Sequence, residues 1–222
     1  REMAARGDWL TPHLNGAPYL NKPPLLYWTI ALSYKEFGVN EWAARLPLAL
    51  ISLCGAALAW QWARELWGLR AGRMAAAMLS VAFGWYLFSH QLLIDLLLAA
   101  LNLLSLYLLW KTAREPERRG RWAAFYAVIG LMVMAKGLIG LLFPLAALLL
   151  FALCRRTWGL LRQSRPALGL LILLAIVGPW VALLEWRNPG TLYYMLVNEH
   201  LKRVVGQRWP PDYSVVNVSA AA

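Results

Sequence analysis

The chain has 222 residues, of which 60% are hydrophobic and only 15% charged, and its net charge is +11. A soluble domain is nearer half apolar and a quarter charged, so the excess here, gathered in long blocks, marks an integral membrane protein. The charge does not indicate nucleic acid, because the basic residues sit in short loops between apolar blocks, and the 13 Trp and 9 Tyr suit membrane interfaces.

In chain order, residues 1–45 read as an extracytoplasmic loop with interfacial helices. Its centre is GDWLTPHLNGAPYLNKPPLLYW, Gly7 to Trp28. Pro23 and Pro24 stiffen the backbone behind Lys22, and Pro24 suits a helix start at Leu25. A lysine at a helix N-terminus favours an anion. The competing reading is a turn lysine snorkelling at the membrane surface. LLYWTIALSYKEFG is too short for a crossing of about 20 residues. It reads as an interfacial helix with Trp28 and Tyr34 at headgroup depth, ended by Gly38. Asn40 is the expected N-cap of a short EWAARL segment. Arg45 and Pro47 then lead into the first span, 46–63.

Arg64, Arg70 and Arg73 form a first basic loop. Residues 74–110 exceed one crossing of about 30 Å and are predicted to form a helical hairpin with its tip near 89–91. Lys111, Arg114, Arg118, Arg119 and Arg121 form a second basic loop, and Arg155, Arg156, Arg162 and Arg165 a third. Between them, residues 122–153 must cross twice, as two short helices meeting near Lys136-Gly137. A last span runs over 166–186 and contains Pro179. Together this predicts an all-α polytopic protein with about six transmembrane helices, a membrane domain over 46–186, and the start of a second extracytoplasmic loop over 187–222. The three basic loops hold 12 of the 22 Lys and Arg, so they face the cytoplasm. Residues 1–45, the 89–91 and 136–137 tips and the segment after 187 then face outward.

Asp95, in LLIDLLL, is a carboxylate at membrane depth, and such a residue is a functional candidate by default. Its other reading is a structural partner for a nearby basic group or for His90. Lys136, taken alone, reads better as a snorkelling lysine at a helix end. Glu199-His200 and Arg203 are at helical spacing, so His200 and Arg203 share a face; a solvated amphipathic segment explains them equally. His13 and His90 read as interface residues. Cys54 and Cys154 have neither CxxC spacing nor a neighbouring histidine, so no disulfide framework or zinc site is expected. No dinucleotide, Walker, zincin or nucleophile-elbow pattern appears, and no cofactor or metal is expected. The chain starts at Arg1 and ends in a polar run, which suggests part of a longer protein. An outward site with several cations and an embedded carboxylate suits a lipid-linked phosphate. These residues alone leave open a glycosyl transferase, a flippase and a lipid phosphatase.

REMAARGDWLTPHLNGAPYLNKPPLLYW followed by FGVNEWAARLPLAL closely resembles the membrane glycosyltransferases of the aminoarabinose lipid A transferase type, whose superfamily includes the protein O-mannosyltransferases. Asp95, AKGLIGLLFPLAALLL, Pro179-Trp180 and EHLKR follow in the family order, so the resemblance covers nearly the whole chain. It implies a C-type glycosyltransferase fold in a bacterial inner membrane, with a periplasmic site that moves sugar from a polyprenyl-phosphate carrier to lipid A or a protein. It implies that Lys22 contacts the donor phosphate, with Arg203 as a second contact, and that Asp95 matches an acidic site residue. Asp95 is thus the expected catalytic residue, and Tyr19, Arg45, Lys136 and His200 join Lys22 and Arg203 as expected substrate-binding residues. The inferred mechanism is inverting. An acceptor oxygen attacks the anomeric carbon while Lys22 and Arg203 steady the leaving phosphate. A family acidic motif would lie upstream of Arg1, so its carboxylate is expected to be absent here. Asn21 stands where a Glu before KPP is common, which removes an expected metal contact. A flippase for the same lipid and an inactive remnant are the rival readings.

Overall fold

The computed structural model describes residues 1–197. The first segment holds a short helix α1 (Glu2–Arg6) and a hairpin of β1 (His13–Leu14) and β2 (Ala17–Pro18). The hairpin pairs His13 with Pro18 and Leu14 with Ala17, across Asn15 at φ 52° and Gly16 at φ 83°. An Asn-Gly pair with both residues at positive φ is the two-residue turn that matches strand twist. Its signal, Asn15-Gly16, stood in the sequence but the expected loop did not include it.

The helix α2 (Leu25–Phe37) forms where expected, and Gly38 ends it at φ 79°. The Asn40 side chain caps α3 (Glu41–Trp67) by accepting from the Ala43 N–H at 2.8 Å. The expected break between EWAARL and the first span does not occur. Helix α3 runs unbroken through Pro47. A proline there removes the N–H that would reach the Ala43 carbonyl. Ser33 Oγ on α2 donates to that same carbonyl at 2.6 Å. The orphaned acceptor is thus satisfied from a neighbouring helix, as apolar surroundings require.

The remaining helices follow in order: α4 (Leu69–Val81), α5 (Phe83–His90), α6 (Ile94–Arg114), α7 (Arg119–Lys136), α8 (Ile139–Cys154), α9 (Gly159–Gln163), α10 (Pro166–Arg187) and α11 (Thr191–Tyr193). Among the described residues α3, α6 and α10 are each long and apolar enough to cross a membrane. Helices α4 and α5 bend by 57° at Ala82 and make a fourth such span when taken together. Helix α8 is apolar but shorter, and α7 and α8 are the pair predicted to meet beside Lys136. The chain is an all-α multi-pass membrane protein.

Helix α7 is the most enclosed element, with Trp122, Phe125, Ile129, Met132 and Ala135 all fully buried. Small residues bring its neighbours close. A Cβ on Gly140 would lie 2.5 Å from the Met132 backbone, and one on Gly169 would lie 2.5 Å from the Tyr126 ring. Close backbone approach through small residues is how helices associate where lipid supplies no hydrophobic drive. At the basic end Glu65 Oε1 accepts from Gln61 at 2.7 Å, Tyr107 at 2.8 Å and Lys111 at 3.0 Å, which ties α3 to α6. Lys22, Asp95 and Lys136 lie at the opposite end of the bundle.

Candidate functional site

Lys22 sits on a support fixed by burial as well as by proline. Leu20 is 1% exposed, Asn21 is 7% exposed, and Pro23 and Pro24 are buried. Pro24 occupies the cap position of α2, and its carbonyl accepts from the Trp28 N–H at 2.8 Å. The loop carrying Lys22 is clamped from two helices. The indole N–H of Trp28 on α2 donates to the Trp9 carbonyl at 2.7 Å, and that of Trp180 on α10 donates to the Leu10 carbonyl at 3.1 Å. Arg187 pairs with Asp8 at 3.0 Å, and Asn188 donates to Thr11 at 3.2 Å. Trp28, expected as a headgroup anchor, therefore also positions the loop.

Asp95 lies in the first turn of α6 and Lys136 in the last turn of α7. Each charge sits at the helix end whose dipole favours it. The two helices are antiparallel, so these ends meet, and Lys136 Nζ donates to Asp95 Oδ1 in a close ion pair. Gly137, at φ 80°, stops α7 directly after Lys136, a backbone state that a side chain would strain. The pair is half-open: the Lys136 side chain is 26% exposed and that of Asp95 43%. His90 takes no part, its Nδ1 lying 2.8 Å from its own helix at the Tyr86 carbonyl.

Lys22 and Lys136 line one cavity of about 290 Å³. Its other walls include Leu174, Val177 and Val181 of α10, with Leu192 and Leu196 beyond it, and Trp180 closes one side. Two lysines from elements more than a hundred residues apart thus line a chamber that is otherwise, Asn21 apart, mostly apolar. Chemically this suits an amphipathic anion: a phosphate at the lysines, a hydrocarbon chain along the walls. Trp180 and the α10 wall were missed as site residues. Their only signal in the sequence was the Pro179-Trp180 pair.

The other expected site residues lie elsewhere. Tyr19 lines a separate cavity of about 430 Å³ with Tyr27, Tyr34 and His13. Its ring meets Tyr27 edge-on at 6.4 Å. Burial, with a smaller contribution from Tyr19, pushes the Tyr27 phenol above its ordinary range. Arg45 does not line the lysine cavity; it pairs with Glu41 one turn back at 3.7 Å and is exposed. His200 and Arg203 fall outside the described residues. Asn21 has its Oδ1 accepting from the Tyr194 hydroxyl at 3.1 Å in a buried site. Among the described residues no group of three or more His, Cys, Asp or Glu is placed to hold a metal.

The family model described as dolichyl-phosphate-mannose-protein mannosyltransferase matches residues 21–183, more than half of the chain. An undecaprenyl phosphate-alpha-4-amino-4-deoxy-L-arabinose arabinosyl transferase of Pseudomonas fluorescens is 32% identical over 91% of this chain and 36% of its own length. The Aeromonas hydrophila transferase of the same description is 28% identical over 91% of this chain and 38% of its own. The crystal structure of ArnT from Cupriavidus metallidurans bound to undecaprenyl phosphate superposes with a TM-score of 0.84 at 34% identity, covering 90% of this chain and 38% of that one. The present chain therefore spans under two-fifths of the length of these relatives. With an apolar chamber lined by two lysines, a helical membrane fold and the family match over residues 21–183, the chain belongs to the dolichyl-phosphate-mannose-protein mannosyltransferase family.

Proposed function

We propose that this chain forms the donor-phosphate part of a glycosyltransferase that moves a sugar from a polyprenyl-phosphate carrier to a lipid A-type acceptor, or to a protein, at the periplasmic face of the bacterial inner membrane. The observation that carries the reading is the pair of lysines, Lys22 and Lys136, on one apolar-walled cavity. In this reading residues 1–45 are an extracytoplasmic loop, 46–186 the transmembrane domain, and 187–222 the start of a further extracytoplasmic loop.

The chemistry follows from the charges. As the acceptor oxygen attacks the anomeric carbon, the bond to the carrier phosphate breaks and negative charge grows on that phosphate. Fixed ammonium groups beside an apolar wall stabilise this charge more as it develops than in the ground state. Lys22 meets the phosphate directly, and Arg203 is a second contact. Asp95 holds Lys136 at the cavity edge and faces the region where an acceptor would approach. Transfer from an undecaprenyl-phosphate-linked sugar by the intact protein in membranes tests the reading. Lys22→Ala is expected to lower the rate on the order of 10²-fold, as for loss of one charge-stabilising donor. Unchanged transfer by both Lys22→Ala and Lys136→Ala would remove the site. Movement of the lipid between leaflets without sugar transfer would favour a flippase.

A further inference from the structure

At the opposite, basic end of the bundle lies a larger cavity of about 730 Å³, between the C-terminal ends of α6 and α8 and the short helix α9. Its lining includes Trp110, Arg114, Phe151, Arg155, Thr157 and Gln163 and, among the described residues, no acidic one. The two arginines are held in the same way from two different helices. The Arg114 guanidinium lies over the Trp110 ring, 4.1 Å from its centroid, and that of Arg155 lies over the Phe151 ring at 5.9 Å. In both cases the aromatic residue is one helical turn earlier.

A guanidinium stacked on a ring is oriented through its flat face, while its N–H donors lie in its plane. Stacking therefore positions each arginine without consuming the donors that grip a phosphate oxygen. Among the described residues neither arginine has an ion pair. This contrasts with Arg118 and Arg121 nearby, which both pair with Glu115, at 2.6 Å and 3.1 Å. Below the arginines the lining turns apolar at Ala113, Phe151 and Leu160, against the core packed around Trp122 and Phe125. Trp158, exposed beside the cavity, is placed as an interfacial aromatic.

From this geometry we infer a binding site for the phosphodiester headgroup of an anionic glycerophospholipid, set between α6 and α8 at the cytoplasmic leaflet, with Arg114 and Arg155 gripping the phosphate. The site is independent of the lysine cavity and of the transfer reaction. Basic pockets between helices on this side of a membrane suit such headgroups. The volume lies in the range of small-molecule sites, about 300–1,000 Å³.

The test is lipid retention by the intact protein. Detergent-purified protein is given equimolar phosphatidylglycerol and phosphatidylethanolamine, and bound lipid is counted by native mass spectrometry. Wild type is expected to retain the anionic lipid at least 5-fold over the zwitterionic one, and R114Q/R155Q to fall to parity. R70Q/R73Q, which removes equal charge from the first turns of α4, is expected to keep the preference. Loss of preference in that control to the same extent, or its survival in R114Q/R155Q, overturns the site. Millimolar inorganic phosphate is expected to leave the lipid bound; displacement would mean a site for free phosphate instead. A photoreactive phosphatidylglycerol on wild-type protein gives a readout that needs no variant. Adducts are expected on peptides spanning 110–116 or 151–163, and adducts confined to other spans overturn the proposal.

Discussion

The ion pair between Lys136 and Asp95 changes what each residue means. Asp95 read as a functional carboxylate with a structural alternative, and Lys136, a snorkelling lysine when taken alone, was expected among the substrate-binding residues. The structure joins them, and Lys136 also faces the cavity of Lys22. If Asp95 works through Lys136, the two substitutions share one effect. Asp95→Asn and Lys136→Met should each lower sugar transfer, and the double variant should lose less than their product, with a coupling of about 1 kcal/mol in a double-mutant cycle. Independent, multiplicative losses would show that Asp95 acts on the acceptor alone. Asp95 and Lys22 were legible in the sequence because a charge at membrane depth and a lysine before two prolines are locally conspicuous. The setting of Lys136 was not legible, since 41 residues separate it from Asp95. Tyr19 and Arg45 were placed by likeness to a family block, and the structure puts both outside the lysine cavity.

Among the elements, the proline of α3 is the most instructive. A helix break at Pro47 is the sound local expectation. It fails because Ser33, on a different helix, supplies the hydrogen bond that Pro47 cannot. Ser33→Ala should therefore leave a buried carbonyl unpaired and cost about 1–3 kcal/mol, measured by thermal or denaturant unfolding in detergent. Ser80→Ala is the control: its hydroxyl bonds within an exposed helix at Ala76, and little change is expected. The glycines divide on the same principle. Gly140→Ala places a methyl against the Met132 backbone and should destabilise by about 1–3 kcal/mol. Gly120→Ala meets nothing within 4 Å and should be neutral or stabilising by up to about 1 kcal/mol. Helix α2, the cap at Asn40 and the break at Gly137 were all readable because each rests on residues within one turn.

At the scale of the whole molecule, charge separates the two ends. The basic end carries the Glu65 network and the arginine-lined cavity; the other carries the loop clamped by Trp28 and Trp180. The proposed orientation is checked by labelling single cysteines in a Cys54→Ala, Cys154→Ala background in intact cells with permeable outer membranes. Asn15→Cys should react with a membrane-impermeant maleimide, and Arg118→Cys should react only after the inner membrane is opened. The reverse pattern would invert the topology. The sequence by itself determined that this is a multi-pass helical membrane protein and which end is basic, and it marked Lys22 and Asp95 as candidates, because apolar length, loop charge and local stiffness are properties of contiguous residues. Only the tertiary structure decided which cations share a cavity, how α3 passes through a proline, and that two arginines stacked on aromatic rings line one cavity. Each of these depends on side chains from different helices meeting in space, and neither periodicity nor composition records that.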